Sequence, residues 1–218
     1  MTRTPPLLWE PSAERVERAT LTRFAAWLEA ERGVRADGYE QLWRWSVDDL
    51  DGFWSALTAF FGVRFSEGGE IVLGNRTMPG AEWFPGSRLS YAEHVFRARE
   101  PDALAILHRS EVRPELGSWS WGRLRLETER VAAGLRALGV QEGDRVVAYM
   151  PNIPETVACF LACASLGAVW SSAAPEFGAR SVVDRFAQVT PKVLLAVDGY
   201  RYGGRDFDSS GLVETIAD

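Results

Sequence analysis

From Gly143 to Phe207 the chain alternates short apolar, β-branched runs with stretches of helical length, and this rhythm limits the folds open to it. Arg145–Met150, Val169–Ser172 and Val193–Val197 read as strands. Between them, a helix begins around Pro151–Glu155, with Asn152 as its expected cap and Pro154 in its first turn, and a second spans Arg180–Gln188. A βαβαβ run implies a parallel sheet with helices on its faces, and ligands of such sheets sit beyond the carboxyl ends of the strands. Two loops should then share one edge: Ala173–Gly178, and Asp198–Asp208, the latter read as irregular.

The apolar stretch Thr156–Ala174 is uncharged over about twenty residues, near the length of a membrane span. Gly167 splits it, serines interrupt it, and β-branched residues come after the glycine. A buried helix followed by a buried parallel strand accounts for that order better than a span. Thr2–Glu10 lacks a cationic region followed by an apolar core, so no secretory leader is expected there. Cys159 and Cys163, one helical turn apart, could in principle supply two metal ligands. Neither histidine is near in sequence, so two small buried thiols and no metal site are expected.

Ahead of this core the texture differs. Six of the nine tryptophans fall in the first 83 residues. Val16, Leu21, Phe24, Trp27 and Leu28 recur at helical spacing, with Gly33 as a stop, and Ser46 is the expected cap of a helix carrying Leu50, Phe53, Trp54, Leu57, Phe60 and Phe61. Such a stripe reads as packing surface. Residues 67–80 are turn-rich, with a brief strand at Ile71–Leu73. After Pro101 come a strand at Ala103–His108, another at Ser118–Trp121, and a helix with Leu124, Thr128, Val131, Leu135 and Leu138 on one face, ended by Gly139. The expected architecture is α/β: a helical, aromatic-rich amino-terminal extension over residues 1–98, then an incomplete parallel βαβαβ sheet over 99–218.

The net charge of −6 argues against a nucleic-acid surface, which needs clustered cations. Lys192 is the only lysine, which limits phosphate chemistry that these residues could complete unaided. No G-x-G-x-x-G fingerprint, phosphate-binding GKS or GKT loop, or G-x-S-x-G elbow occurs. Within Asp198–Asp208, however, Arg201 and Arg205 stand among Gly199, Gly203 and Gly204. Glycines admit close backbone approach and guanidinium forks match phosphate, so this segment is a candidate anion site. A merely solvated, arginine-bearing turn is the competing reading.

Several segments resemble the amino-terminal part of the acyl-CoA synthetases of the adenylate-forming superfamily. Trp119-Ser120-Trp121-Gly122-Arg123-Leu124 lies where that family has its first short motif, and LACASLGAVWSSAAP (Leu161–Pro175) matches its second. GDRVVAYMPNIPET, PEFGARSVVDRF and PKVLLAVDGYRYGGRDFD are closer still, and YEQLWRWSVDDLDGFWSALTAFFGV resembles the extension shared by acetyl- and acetoacetyl-CoA synthetases. Trp170 favours the acetoacetate–CoA ligase branch, since the acetyl branch usually carries histidine there. Ala173-Ala174 replaces a more polar pair, and Glu176 stands where aspartate is common.

The resemblance implies a cytoplasmic ligase that uses ATP, Mg²⁺ and coenzyme A to activate acetoacetate. It also implies that the family's ATP loop, ribose-binding aspartate and catalytic lysine lie outside these residues, so no catalytic residue is expected here. The chain is expected to be the front part of such a ligase, inactive alone. What it implies for the residues present is coenzyme A contact: Arg201 and Arg205 on the phosphates, and Ala174, Pro175 and Glu176 along the approach. The loop is one residue longer than in the acetyl branch, which shifts the register of Arg205. Arg185 is expected in a surface ion pair. The rival expectation is a non-catalytic remnant that binds coenzyme A, or a partner protein through its aromatic segment; the DNA after the codon for Asp218 separates the two.

Overall fold

A computed structural model describes residues 6–217; the start of the Thr2–Glu10 stretch and Asp218 lie outside the described residues. Two compact units, Met1–Leu89 and Ser90–Asp218, make up the chain.

The first unit is built on helices α1 (Ala13–Glu17), α2 (Thr20–Arg32), α3 (Tyr39–Asp48) and α4 (Leu50–Phe60). Phe24, Leu28, Leu42 and Ala56 are buried at its centre, with Trp27, Trp45, Phe53 and Phe60 packed around them. The rings meet mostly edge to face, Phe53 with Phe24 at 6.2 Å and with Trp45 at 5.7 Å, the geometry their quadrupoles favour. Gly33 ends α2 in a left-handed conformation, φ 65°, as its position suggested.

Three expectations change here. The helical run through Val16 and Leu21 is broken at residues 18–19, where the Thr22 hydroxyl donates to the Val16 carbonyl at 2.7 Å, and both apolar side chains are exposed. Ser46 caps nothing; it lies inside α3 and donates to the Trp43 carbonyl. Asp49, at φ −120°, separates α3 from α4 and accepts from the Gly52 amide at 3.0 Å, because a carboxylate at the first non-helical position is the better acceptor for an orphan N–H. Ile71–Leu73 forms no strand: isolated bridges Glu67–Arg88 and Leu73–Trp83 close that segment as a loop.

The second unit opens with α5 (Tyr91–Phe96), whose Phe96 is buried with Trp119, Leu124, Ala158 and Leu161. Strands β1 (Leu104–His108) and β2 (Gly117–Ser120) pair antiparallel, and Ser120 caps α6 (Trp121–Ala137) by accepting from the Arg123 amide. The parallel core follows: β3 (Arg145–Tyr149), α7 (Pro154–Ser165), β4 (Val169–Ala173), α8 (Ala179–Ala187) and β5 (Val193–Ala196). Strand order is β4–β3–β5, with Tyr149 level with Ala173 on one side and Ala196 on the other. Central β3 is inaccessible over Val146–Tyr149 because both faces are covered. Val146 packs on the side of α6 and α7, with Leu135, Ala162 and Cys163, while Val147 and Tyr149 pack with Val182 and Phe186 of α8. The alternation of a strand assigns its residues to these two layers.

Gly167, φ 67°, divides the uncharged run into α7 and β4, and no described helix is long and apolar enough to cross a membrane. Cys159 and Cys163 are free and buried on α7; burial pushes the Cys163 thiol up to about 12. Asn152 is not the cap of α7. Ile153 takes that position, at φ −121° and ψ 161°, without a side-chain bond, because a residue preceding proline is driven to extended backbone.

Asp198–Asp208 is not an irregular loop but an antiparallel hairpin of β6 (Gly199–Tyr202) and β7 (Arg205–Asp208). Its turn, Gly203-Gly204, has φ 59° and 74°. Two consecutive residues of positive φ make the turn whose twist matches the flanking strands, and glycine adopts it freely. Helix α9 (Ser210–Ala217) completes the described chain.

Candidate functional site

Because β3, β4 and β5 run parallel, their carboxyl ends lie on one edge, and a cavity of about 540 Å³ opens there. Each strand contributes the residues just past its end: Pro151 and Ile153 after β3, Pro175 and Glu176 after β4, Val197 and Asp198 after β5. The facing walls come from Ser110, Val112 and Arg113 of the β1–β2 connection and from Gly199–Tyr202 of β6.

Tyr149 fixes the floor. At the end of the central strand its ring is fully buried, and its hydroxyl donates to the carbonyls of Pro175 and, at 3.0 Å, Phe177. One side chain thereby sets the path of the loop after β4. Burial raises the tyrosine above its ordinary value, so it remains a donor at neutral pH. Arg113 reaches across to Glu155 in the first turn of α7 at 2.8 Å. Burial works to raise the Glu155 carboxyl, and the Arg113 hydrogen bond together with its own backbone amide outweighs it, leaving it below the ordinary carboxylate value.

The hairpin separates the two arginines. Residues opposite one another share a face and neighbours alternate, so Arg201 stands with Asp206 on one face and Arg205 with Tyr202 on the other. Arg201 lines the cavity, with Nε 3.5 Å from Asp206 Oδ1. Arg205 is exposed and does not line it. Pro175 and Glu176 line the cavity too; Ala174 does not. Tyr200 and Phe207 stack at 4.9 Å and stiffen the ribbon. Arg185 makes no ion pair among the described residues: its guanidinium lies 5.0 Å over the Phe177 ring, which draws a cation with no acid required.

Sequence reasoning missed Glu111, Arg113 and Tyr149. Glu111 accepts from both turn amides, Gly203 at 2.8 Å and Gly204 at 2.7 Å, across 92 and 93 residues of chain, a separation no local pattern announces. Tyr149 carried a weak signal, as a polar-tipped residue ending a fully buried strand. Lys192 is at the other end of the sheet, bonded to Asp144 at 2.8 Å and to the Gly139 carbonyl, and does not face the cavity. Among the described residues no group of three or more histidine, cysteine, aspartate or glutamate side chains could hold a metal ion.

Comparison with known proteins gives this geometry a family. The AMP-binding enzyme family matches residues 93–216, and the acetyl-coenzyme A synthetase N-terminus matches residues 39–95. An acetoacetyl-CoA synthetase of Macaca fascicularis is 38% identical over 204 residues, 92% of this chain and 30% of its own length. That of Rhizobium meliloti is 38% identical over 211 residues, 96% of this chain and 32% of its own. The solved structure of an acetoacetyl-CoA synthetase from Streptomyces lividans superposes with a TM-score of 0.92 at 52% identity, over 97% of this chain and 33% of that one. The chain thus spans about a third of the length of the relatives it matches. With its parallel sheet, its edge cavity and a family match over more than half its residues, the chain belongs to the AMP-binding enzymes.

Proposed function

We propose that the chain forms the coenzyme A-facing front of an acetoacetate–CoA ligase, which joins acetoacetate and coenzyme A at the expense of ATP, yielding acetoacetyl-CoA, AMP and diphosphate. The observation that carries this is the cavity at the strand ends, with Arg201 on its wall, in a chain whose relatives are acetoacetyl-CoA synthetases. Its size is within the range of small-molecule sites, and Val112, Ile153 and Tyr200 offer apolar surface beside the charge. Residues 1–98 are in this reading the amino-terminal extension, and 99–218 the first part of the adenylate-forming domain.

Arg201 supplies a fixed cation for a phosphate of coenzyme A, exchanging its partner Asp206 for the stronger anion. Pro175 and Glu176, held through Tyr149, define the approach, with Ala174 behind them in the same loop. Arg205, on the other face of the hairpin, contacts a part of the ligand that wraps over the ribbon edge. ATP and Mg²⁺ belong to the whole ligase. The described residues hold no group of three or more acidic, histidine or cysteine side chains fit for a metal ion, the one lysine lies away from the cavity, and in this reading the chain is inactive alone. Cytoplasmic placement belongs to the same reading and comes with the family resemblance, while the lack of a nucleic-acid partner rests on the negative net charge.

Calorimetric titration of coenzyme A and 3′-dephospho-coenzyme A into the chain and its Arg201→Ala variant tests the assignment. Loss of one charge-assisted phosphate contact should weaken coenzyme A binding about tenfold. Superimposable curves for parent and variant reject it.

A further inference from the structure

One carboxylate bridges the two stretches of chain that form the outer wall of the cavity. Glu111 belongs to the β1–β2 connection, and its two oxygens each accept one amide from the hairpin turn, at 2.8 and 2.7 Å. Consecutive backbone N–H groups in such a turn form a concave nest that holds anions. The residues flanking this bond are cavity wall on both sides: Ser110 and Val112 around Glu111, and Tyr202 before Gly203. The contact therefore ties two distant stretches of chain together at the place where they enclose the space.

We infer that Glu111 is a positioning residue: its carboxylate clasps the β6–β7 hairpin to the β1–β2 connection and so keeps Arg201 on the wall that receives an anionic ligand. Only an ionised carboxylate offers an acceptor to each amide with charge assistance. Glutamine presents a single acceptor and sets its own N–H₂ against the second amide. The charged groups of the two elements are Arg109, Arg113 and Glu115 on the connection, and Arg201, Arg205, Asp206 and Asp208 on the hairpin. Of these, Arg201 acts on the Glu111 charge. The Gly204 amide first, then that of Gly203, hold the carboxyl below its ordinary 4.5. A depressed carboxyl stabilises the closed form above the ordinary value and releases it as pH falls through the lower, folded one.

The clasp rests on geometry; only its effect on affinity rests on the coenzyme A reading. The test follows amide resonances of Gly203 and Gly204 in the ¹⁵N-labelled chain from neutral to acid pH, with hydrogen exchange of residues 199–208 at pH 7, in the parent and in Glu111→Gln. Both parent amides should titrate together with a midpoint below 4.5. In the variant that transition should vanish, exchange of the hairpin should accelerate, and coenzyme A binding should weaken several-fold. Parent amides that do not titrate together, or exchange unaltered in the variant, overturn the clasp. Faster exchange with unaltered affinity overturns the positioning role. A parent chain that binds no coenzyme A refutes the proposed function, while the amide data still decide the clasp. Should the variant not fold, the parent titration decides alone.

Discussion

Replacing Tyr149 by phenylalanine deletes one oxygen from the best-buried large side chain of the fold, and the outcome can be worked from its surroundings. The ring is 0% exposed and packs with Val147, Ala173, Val182 and Phe186, contacts that phenylalanine keeps. Apolar burial is therefore unchanged. What is lost is the donor to the Pro175 and Phe177 carbonyls, the former on a buried residue. Orphaning a buried acceptor costs about 1–3 kcal/mol. The removed hydroxyl no longer has to be desolvated, which places the net loss near the lower end, about 1–2 kcal/mol. At about 2–4 °C per kcal/mol for a chain of this size, Tm should fall by about 2–8 °C in scanning calorimetry. Hydrogen exchange at residues 174–178 should accelerate before that of the sheet. A pH signature accompanies it. The folded tyrosine is raised above its ordinary 10.0, so this contribution is complete below that value and is lost as pH rises through the folded one, a dependence the phenylalanine variant lacks. A variant with Tm within about 1 °C of the parent, and with the loop equally protected, would refute the assignment of Tyr149 as the anchor of the floor.

Two further outcomes follow from groups away from the cavity. Cys163, its thiol pushed up to about 12 by burial, should resist a thiol reagent at neutral pH until the second unit opens, so that reaction rate tracks denaturant-driven opening; prompt labelling of the native chain contradicts the packing of α7. Asp144 is held below its ordinary 3.8, first by the Lys192 ammonium and then by the Gln141 amide, so the tie it makes is complete above that value and is released as pH falls through the lower one. Lys192→Met should flatten the acid limb of the stability profile of the second unit, and an unaltered acid limb counts against the pair.

The parallel sheet was legible because its strands and helices advertise themselves locally: continuous apolar runs, Gly139 and Gly167 as stops, and an amphipathic period in α6. Tertiary competition explains the misreadings. Ser46 and Asn152 were plausible caps by residue type, but Asp49 and the extended backbone before Pro154 took those positions. The hairpin's signal is confined to Gly203-Gly204, since the flanking Gly199–Tyr202 and Arg205–Asp208 are too short and polar to read as strands by periodicity. The cavity itself was half legible. Its strand-end loops follow from topology, whereas Glu111 and Arg113 come from a connection far off in sequence, and whether Arg201 and Arg205 share a face depends on a register that only pairing defines.

Lys192 directly precedes β5, at the end of the sheet remote from the cavity, and is the sole side-chain amine in the chain. Coupling through that nitrogen, at the cost of its tie to Asp144, gives a defined orientation on a surface or a reporter dye, with the strand-end cavity directed outward, provided the chain's own amino terminus is blocked first. A protein with ordinary lysine content would need many substitutions to offer such a handle; here arginine usage has left it in place.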